Sequence, residues 1–283
     1  LSLSLPPLTA VIVALAASMI STWYFLPKII LVASRRRLTD NPGRRKIHHR
    51  AIPTLGGIGI FGGFAVGFLL AINGHMPGGS YFFSALLLVF FIGMKDDLIN
   101  IRPYKKVMIH TVAALIISFF LNLRITSLHG FLGIGEISLI PSVLLTTFLF
   151  IVIINSLNLV DGIDGLAAAL GIVISNFFGI YAGLSGEAAY AIMSAALTGT
   201  LSVFLWFNCT QGKFKIFMGD TGSMVIGFIV TVMMIRFNEL NAWGDPVMPL
   251  QSSPAVSIGI LIVPLFDTLR VMIIRLIRHQ SPF

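Results

Sequence analysis

Apolar residues occupy this chain in long runs, and polar residues gather in short stretches between them. Runs of about 17–25 apolar residues match the length of a helix that crosses a bilayer. We predict about nine such membrane spans, at 8–33, 55–73, 81–94, 106–121, 142–158, 165–184, 187–207, 221–236 and 255–277. The third and fourth are short for a full crossing, so tilt or flanking aromatic residues must help them. The predicted fold class is therefore all-α, a polytopic transmembrane helical bundle.

Composition favours one integral-membrane domain over residues 1–283. The chain is 56% hydrophobic and only 11% charged, which excludes an ordinary soluble domain. We interpret the first apolar run as a retained helix, because it has neither a basic start nor an obvious cleavage site. A single cysteine, Cys209, excludes an internal disulfide.

The basic residues indicate how the chain is oriented in the membrane. A net charge of +8 could suggest nucleic acid, but all except two of the 19 Lys and Arg residues fall on alternate predicted loops. The two exceptions are Arg124 and Arg236. Because cytoplasmic loops carry the excess of Lys and Arg, we predict that the N-terminus is outside and those alternate loops are cytoplasmic. The predicted location is the inner (plasma) membrane, with no nucleic-acid partner.

Five aspartates lie where apolar runs end, all on the predicted cytoplasmic side: Asp96, Asp97, Asp161, Asp164 and Asp220. Ionisable residues near the membrane interior are unfavourable and usually functional. Their placement suggests a divalent cation and a phosphorylated cytosolic substrate that meets a molecule held in the membrane.

The first acidic stretch runs from Asp96 and Asp97 through Asn100 to Lys106. Adjacent carboxylates followed by lysines can bind a metal ion and a phosphate together, and one carboxylate could accept a proton or orient a nucleophile. The alternative is a helix C-terminus with solvated charges.

The second stretch runs from Asn155 to Leu166. Asn155, Asn158 and Asp161 are spaced by three, so a helix would place them near one face. Amide and carboxylate oxygens suit Mg²⁺. The alternative is a polar turn between two helices, and the number of polar groups so close to an apolar span disfavours it.

Two further stretches have weaker local signals. Asp220 could be a metal ligand beside a phosphate-attracting helix N-terminus, or it could cap that helix. The basic loop from Arg44 to Arg50 includes Lys46 and His49. Such loops are usually topology signals or contacts to anionic lipid.

Together, these stretches resemble a known family. Residues 53–57 (Pro-Thr-Leu-Gly-Gly), Asp96-Asp97, Asn155 to Leu166 and Gly219-Asp220 are similar, in this order, to the motifs of polyprenyl-phosphate N-acetylhexosamine-1-phosphate transferases (glycosyltransferase family 4). The resemblance covers nearly the whole chain. It implies transfer of a phospho-sugar from a UDP-N-acetylhexosamine to a polyprenyl phosphate, with release of UMP. The first loop and last span look more like the WecA-type branch, which uses UDP-GlcNAc, than the MraY-type branch, which uses UDP-MurNAc-pentapeptide.

The resemblance also implies roles for individual residues. Asn158 and Asp220 would hold Mg²⁺, for which Mn²⁺ could substitute. Asp96, Asp97 and Lys106 would be catalytic, with the aspartates acting on the lipid phosphate and Lys106 pairing with phosphate. Asp164 would hold the uracil end. The other expected substrate-binding or supporting residues are Lys46, His49, Asn100, Asn155 and Asp161.

One departure from the family pattern concerns the C-terminus. The family usually has a motif with several histidines shortly after the segment that matches residues 276–283, whereas this sequence stops at Phe283. We therefore expect a fragment, or a chain that lacks its last cytoplasmic loop and final span or spans.

Two rival classes remain at this point. A membrane transporter would place its carboxylates near the bilayer midplane in broken, repeated helices, but here they lie at span ends and no repeat is visible. A non-catalytic lipid-binding or assembly protein leaves the clustered aspartates unexplained. The sequence leaves the oligomeric state open, a homodimer included.

Overall fold

A computed structural model of the chain describes residues 5–36, 38–40, 52–72, 75–130, 133–243 and 249–278. These residues are mainly helical, with one antiparallel pair of two-residue strands, β1 (Thr39–Asp40) and β2 (Ile52–Pro53). The helices are α1 (Pro7–Arg35), α2 (Gly56–Ala71), α3 (Gly79–Ile99), α4 (Pro103–Phe120), α5 (Leu139–Val160), α6 (Leu166–Leu184), α7 (Ala188–Cys209), α8 (Gly219–Trp243), α9 (Ser253–Ile260) and α10 (Ile262–Ile277).

The helices confirm a polytopic α-helical membrane protein. Five of them, α1, α5, α6, α7 and α8, are long and apolar enough to cross a bilayer, and α2 is a shorter apolar helix. Each of the first eight predicted spans corresponds to one helix. The largest differences in boundary are at the C-termini of α3 and α8, which continue past the predicted ends through charged residues.

The prediction of one continuous helix over 255–277 is wrong. The structure divides this segment into α9 and α10 at Leu261. Pro264, in the first turn of α10, explains the break: it has no N–H to donate to Ile260, and its ring crowds the carbonyl of that residue. The apolar run is therefore divided into two shorter helices.

Helix α8 is the centre of the bundle. It packs against α2, α3, α5 and α6, and its residues from Thr221 to Ile235 are buried without interruption. A helix that is apolar on every face is stable only when other helices cover it. Around it, α1 packs on α2 and α7, while α10 packs on α5. The position of α8 thus fixes its neighbours.

Polar contacts between helices supplement the apolar packing. The Ser194 hydroxyl of α7 donates to the Ser175 carbonyl of α6 at 2.9 Å, and the Thr22 hydroxyl of α1 donates to that of Thr200 in α7 at 3.3 Å. Small hydroxyl residues allow close approach of membrane helices and hydrogen-bond across them.

At the end predicted to be outside, α8 is held by Glu239. Its carboxylate accepts hydrogen bonds from the backbone N–H (2.8 Å) and the hydroxyl (2.7 Å) of Thr126. The Trp243 indole N–H donates to the same hydroxyl. These bonds attach the segment between α4 and α5 to the last turns of α8, beyond the end that the sequence predicted for that span.

At the other end, the first turn of α8 lies directly against α2 and α3. A Cβ on Gly57 would lie 2.2 Å from the backbone nitrogen of Gly222, and one on Gly93 would lie 2.7 Å from the Cα of Thr221. The residues before α8 also pair with the start of α2, because the Gly56 N–H donates to the carbonyl oxygen of Phe217 at 3.0 Å. Only glycine permits these backbones to touch.

This close approach makes a testable prediction for Gly57→Ala. The new methyl group would meet backbone atoms that cannot rotate away, so we expect a loss of about 1–3 kcal/mol in the free energy of unfolding, as for other overpacked sites. Gly259→Ala is the matched control, since a Cβ there has no heavy atom within 4 Å. The free energy of unfolding of both variants is measured in mixed detergent. Equal stability of the two variants would contradict the packing described here.

Candidate functional site

The two adjacent aspartates lie inside α3, in its last turn, and diverge toward different partners. Successive helical residues are rotated by about 100°, so Asp96 and Asp97 leave the helix in different directions. Asp96 is buried, with 6% of its surface exposed. Its carboxylate accepts a hydrogen bond from the Ile101 N–H at 2.5 Å and pairs with Lys106 of α4. Solvated charges at a helix end, the alternative reading of this stretch, do not describe Asp96.

Asp97 bonds to the N-terminus of α8. One carboxylate oxygen accepts the Asp220 N–H at 2.7 Å, and the other accepts the N–H (3.1 Å) and hydroxyl of Thr221. The first N–H groups of a helix have no partner within the helix and carry its positive dipole end, so a carboxylate there is favourable. Asp97 therefore performs the capping role that the sequence allowed for Asp220.

Lys106 joins α3 and α8. Its ammonium pairs with Asp96 and, at 2.6 Å, with Oδ2 of Asp220. Asp220 lies in the first turn of α8, where Gly219 before it has φ +73°. A Cβ on Gly219 would lie 2.4 Å from the Thr54 carbonyl and 2.8 Å from both oxygens of Asp97. The residue preceding Asp220 is thus restricted to glycine by backbone conformation and by space.

Asn158 approaches the same carboxylate from α5. Its amide donates to Oδ1 of Asp220 at 3.0 Å and to the hydroxyl of Ser223 at 2.9 Å. The two residues that the family resemblance assigned to the metal are therefore neighbours, although they are 62 positions apart. The sequence assigned no role to Ser223, which lies one turn after Asp220.

Asp161 follows α5 directly and adds another carboxylate near this cluster. Burial raises the pKa of Asp161 well above its ordinary value, and the negative charges of Asp220 and Asp97 raise it further. The backbone N–H of Gly219 acts in the opposite direction. Its carboxyl therefore holds a proton more readily than an exposed aspartate does.

Asp164 lies apart, on the exposed turn between α5 and α6. Its carboxylate pairs with Lys215 at 2.5 Å. Buried Asn208 of α7 supports this turn, because its side chain accepts the Gly165 N–H at 2.5 Å and donates to the Ile216 carbonyl at 2.8 Å. From the sequence, we assigned Lys215 no role beyond topology and Asn208 no role at all. An amide at the end of an apolar span is the signal that could have indicated Asn208.

Of the remaining predicted residues, the structure describes Asn155 and Asn100. Asn155 donates to the Ile151 carbonyl of its own helix at 2.7 Å and lines a cavity of about 150 Å³ between α4, α5 and α10. Asn100 ends α3 with φ +44° and is exposed. Lys46 and His49 lie outside the described residues. The cavity is lined by Pro103, Lys106, Val107, Asn155, Asn158, Leu159, Thr268, Met272 and Arg275.

The cluster has more carboxyl groups than cations to pair with them. Four carboxyl groups, from Asp96, Asp97, Asp161 and Asp220, lie near one another, and the ammonium of Lys106 pairs with two of them, Asp96 and Asp220. Like charges that lie close together are unfavourable unless protons or cations offset them. A divalent cation would supply that offset.

The donor set fits Mg²⁺ shared with a phosphorylated substrate. Among the described residues, no group of three or more His, Cys, Asp or Glu side chains could hold a metal ion alone. However, Mg²⁺ is often held by one or two carboxylates and completes its shell with water and substrate phosphates. The Asp220 carboxylate and the Asn158 amide could supply the protein ligands, and the same oxygens accept Mn²⁺.

Comparison with known proteins shows what this chain is similar to. The profile described as glycosyl transferase family 4 matches residues 80–238, the region that contains the whole carboxylate cluster. An undecaprenyl-phosphate alpha-N-acetylglucosaminyl 1-phosphate transferase of Escherichia coli (strain K12) is 31% identical over 255 residues, which cover 89% of this chain and 67% of the relative. The chain thus spans about two thirds of that relative.

Two further bacterial proteins are similar to this chain. The enzyme of the same description in Yersinia pestis is 31% identical over 255 residues, covering 89% of this chain and 68% of its own. A probable undecaprenyl-phosphate N-acetylglucosaminyl 1-phosphate transferase of Bacillus subtilis (strain 168) is 28% identical over 272 residues, covering 95% and 73%.

The charge balance makes a prediction for Lys106→Met. Without divalent cations, loss of the ammonium leaves Asp96 and Asp220 uncompensated. We expect a loss of about 1–3 kcal/mol in unfolding free energy, less than for a fully buried pair, because Asp96 is buried but Asp220 is partly exposed. Mg²⁺ should restore more stability to this variant than to the unchanged protein.

The control is Lys215→Met, which removes the partner of exposed Asp164 and should show no such response to Mg²⁺. Thermal unfolding with EDTA or with Mg²⁺ measures the difference. If Mg²⁺ changes the unfolding temperature of all three proteins equally, the cluster does not hold the cation.

Proposed function

Because this chain belongs to glycosyl transferase family 4, we propose that it transfers N-acetylglucosamine 1-phosphate from a UDP-sugar to a polyprenyl phosphate and releases UMP. The acceptor is undecaprenyl phosphate, the lipid in the names of its bacterial relatives. The observation that carries the proposal is the convergence of Asp96, Asp97, Lys106, Asn158 and Asp220 at one end of an apolar helical bundle. There, a soluble phosphate compound can meet a lipid.

The reaction exchanges one phosphate bond for another. An oxygen of the lipid phosphate attacks the β-phosphorus of the UDP-sugar, the bond from that phosphorus to the bridging oxygen breaks, and the electron pair leaves with UMP. Phosphoryl transfer of this kind requires mainly positioning and charge neutralisation. Mg²⁺, when bound by Asp220 and Asn158, would neutralise charge on the phosphate oxygens.

The residues of the chain divide this work. Lys106 supplies a positive charge where phosphate must bind, while Asp96 orients the acceptor phosphate or takes its proton. Asp97 has the same proposed role, but its three hydrogen bonds to α8 also give it a structural function. Asn155 and Asp161 support the site from α5.

The nucleotide end is assigned to the turn between α5 and α6. We assign Asp164 to the uracil, since its exposed carboxylate can accept a base N–H once Lys215 moves or shares it. Asn100, Lys46 and His49 are assigned to outer contacts with substrate. A hydrogen bond between a charged group and the base contributes about 1.5–3 kcal/mol, so Asp164 would affect affinity more than rate.

Two alternative functions account for fewer of these observations. A UDP-MurNAc-pentapeptide donor fits the same cluster, but the similar proteins are named for N-acetylglucosamine 1-phosphate. A transporter would place its charges along a path at the bilayer midplane, whereas Asp97 and Asp220 lie in the terminal turns of α3 and α8.

The activity test is UMP release by protein expressed from its complete gene, with UDP-GlcNAc, undecaprenyl phosphate and Mg²⁺. We expect release to require the lipid and the cation. Asp220→Asn and Asn158→Ala should each lower the rate by a factor of about 10²–10³, as when other electrostatic groups are removed from active sites. Glu136→Gln, an exposed carboxylate outside the cluster, should retain full activity. Undiminished turnover by Asp220→Asn would refute the metal assignment.

The proposed membrane arrangement has nine spans, an outside N-terminus and the carboxylate cluster facing the cytoplasm of the inner membrane. It follows from the distribution of Lys and Arg among the loops. A cytoplasmic cluster is required if the donor is a cytosolic UDP-sugar.

Single cysteines test this arrangement in a Cys209→Ser background. Cysteine in place of Ser34 or Lys213 should react only with thiol reagents that enter the cytoplasm, whereas cysteine in place of Glu136 should react with impermeant reagents on intact cells. The reverse pattern of labelling would place the cluster on the wrong side for a cytosolic donor.

A further inference from the structure

His110 of α4 is a fully buried polar side chain with no partner. Its exposure is 0%, and both ring nitrogens lack a hydrogen bond to any group in the described part of the chain. Nearly all buried polar atoms in proteins have a partner, either protein or ordered water. A doubly unpaired imidazole inside a membrane bundle, where no bulk water reaches it, therefore requires an explanation.

The position of His110 relates it to the cluster. It follows Lys106 by four residues in the same helix, so the two side chains are neighbours on one helix face. Side chains in a helix tilt toward its N-terminus, so the ring lies over the turn that carries Lys106. The cavity between α4, α5 and α10 reaches Lys106 and Val107 but not His110. The ring thus lies one turn deeper than the cavity.

Lys106 has one more proton to donate than the carboxylates that accept from it. An ammonium has three protons to donate, and the described residues provide two acceptors, the carboxylates of Asp96 and Asp220. A buried imidazole is neutral because burial disfavours its charged form. A neutral ring has one accepting nitrogen and one donating nitrogen. His110 therefore offers an acceptor one helical turn from Lys106.

We propose that His110 is a positioning residue, which holds Lys106 between Asp96 and Asp220 through one buried water molecule. The water accepts the third ammonium proton and donates to the accepting ring nitrogen. Buried waters typically make about three hydrogen bonds to groups that are otherwise unsatisfied, and this one pairs with the third ammonium proton and with the accepting ring nitrogen. The inference rests on the proposed function, because Lys106 acts on phosphate only there.

This arrangement predicts which kinetic constant changes. Without the water link, the ammonium is free to swing toward either carboxylate and no longer holds its place for the lipid phosphate. The rate at saturating substrates falls, while binding of the nucleotide end, assigned to Asp164, is unaffected. His110 itself touches no reacting atom.

The test compares His110→Leu with His110→Gln in the UMP-release assay. Leucine fills the space without polar atoms and should lower kcat by about ten- to a hundredfold, the range for loss of a hydrogen bond to a charged group. KM for the UDP-sugar should change less than about twofold. Glutamine retains a donor and an acceptor and should restore kcat to within about threefold of the unchanged protein.

The outcomes separate this inference from the function on which it rests. If the unchanged protein releases no UMP, the proposed function fails. If it does and His110→Leu is equally fast, or if Gln is as slow as Leu, the water link is refuted. Should the Leu variant not fold, a density map of the unchanged protein that resolves ordered water decides the matter. Water within hydrogen-bond distance of both the ring and Lys106 supports the link, and its absence overturns it.

Discussion

The bond between Asp97 and the N-terminus of α8 is the constraint on which the rest of the site depends. It joins the last turn of α3 to the first turn of the central helix through three donors on two consecutive residues. Once that junction is fixed, Asp96 must point elsewhere, and it meets Lys106. Asp220 then projects beyond the capped turn, toward the same lysine and Asn158. One structural carboxylate thus leaves its neighbours available for chemistry.

The backbone permits this junction only because side chains are absent where it forms. Gly57 and Gly93 let α2 and α3 touch the start of α8, and Gly219 supplies a left-handed turn against Thr54 and Asp97. Charged groups within the bilayer are costly, so their concentration at the helix ends keeps them near water. The apolar length of α8 remains covered on all sides.

Much of this could be predicted from the sequence, because the lengths of apolar runs and the distribution of Lys and Arg depend on the membrane and not on tertiary detail. The runs identified nearly every helix, and the spacing of Asn155, Asn158 and Asp161 indicated a functional turn. That Asp97 rather than Asp220 caps α8 could not be predicted from the positions of these residues. Asp97 follows an apolar run and Asp220 precedes one. Their different contacts depend on the approach of the ends of α3 and α8, which a linear pattern does not contain.

Other features depend on contacts that a linear pattern does not contain. The break between α9 and α10 has a local cause in Pro264, which the length of the apolar run concealed. His110 reads as one polar residue in an apolar helix, and its orphaned nitrogens are evident only when its surroundings are known. Likewise, Asn208 supports two segments that are distant in sequence.

The central claim is that Asp97 holds α3 to α8, and a double-mutant cycle tests it most directly. The unfolding free energies of the unchanged protein, Asp97→Asn, Thr221→Val and the double variant are measured in mixed detergent. Both substitutions disturb the same contact, so the account predicts that the second costs less once the first is made, with a coupling of about 1 kcal/mol or more. Strictly additive losses would contradict it, because Asp97 and Thr221 would then contribute independently and the junction would not depend on their bond.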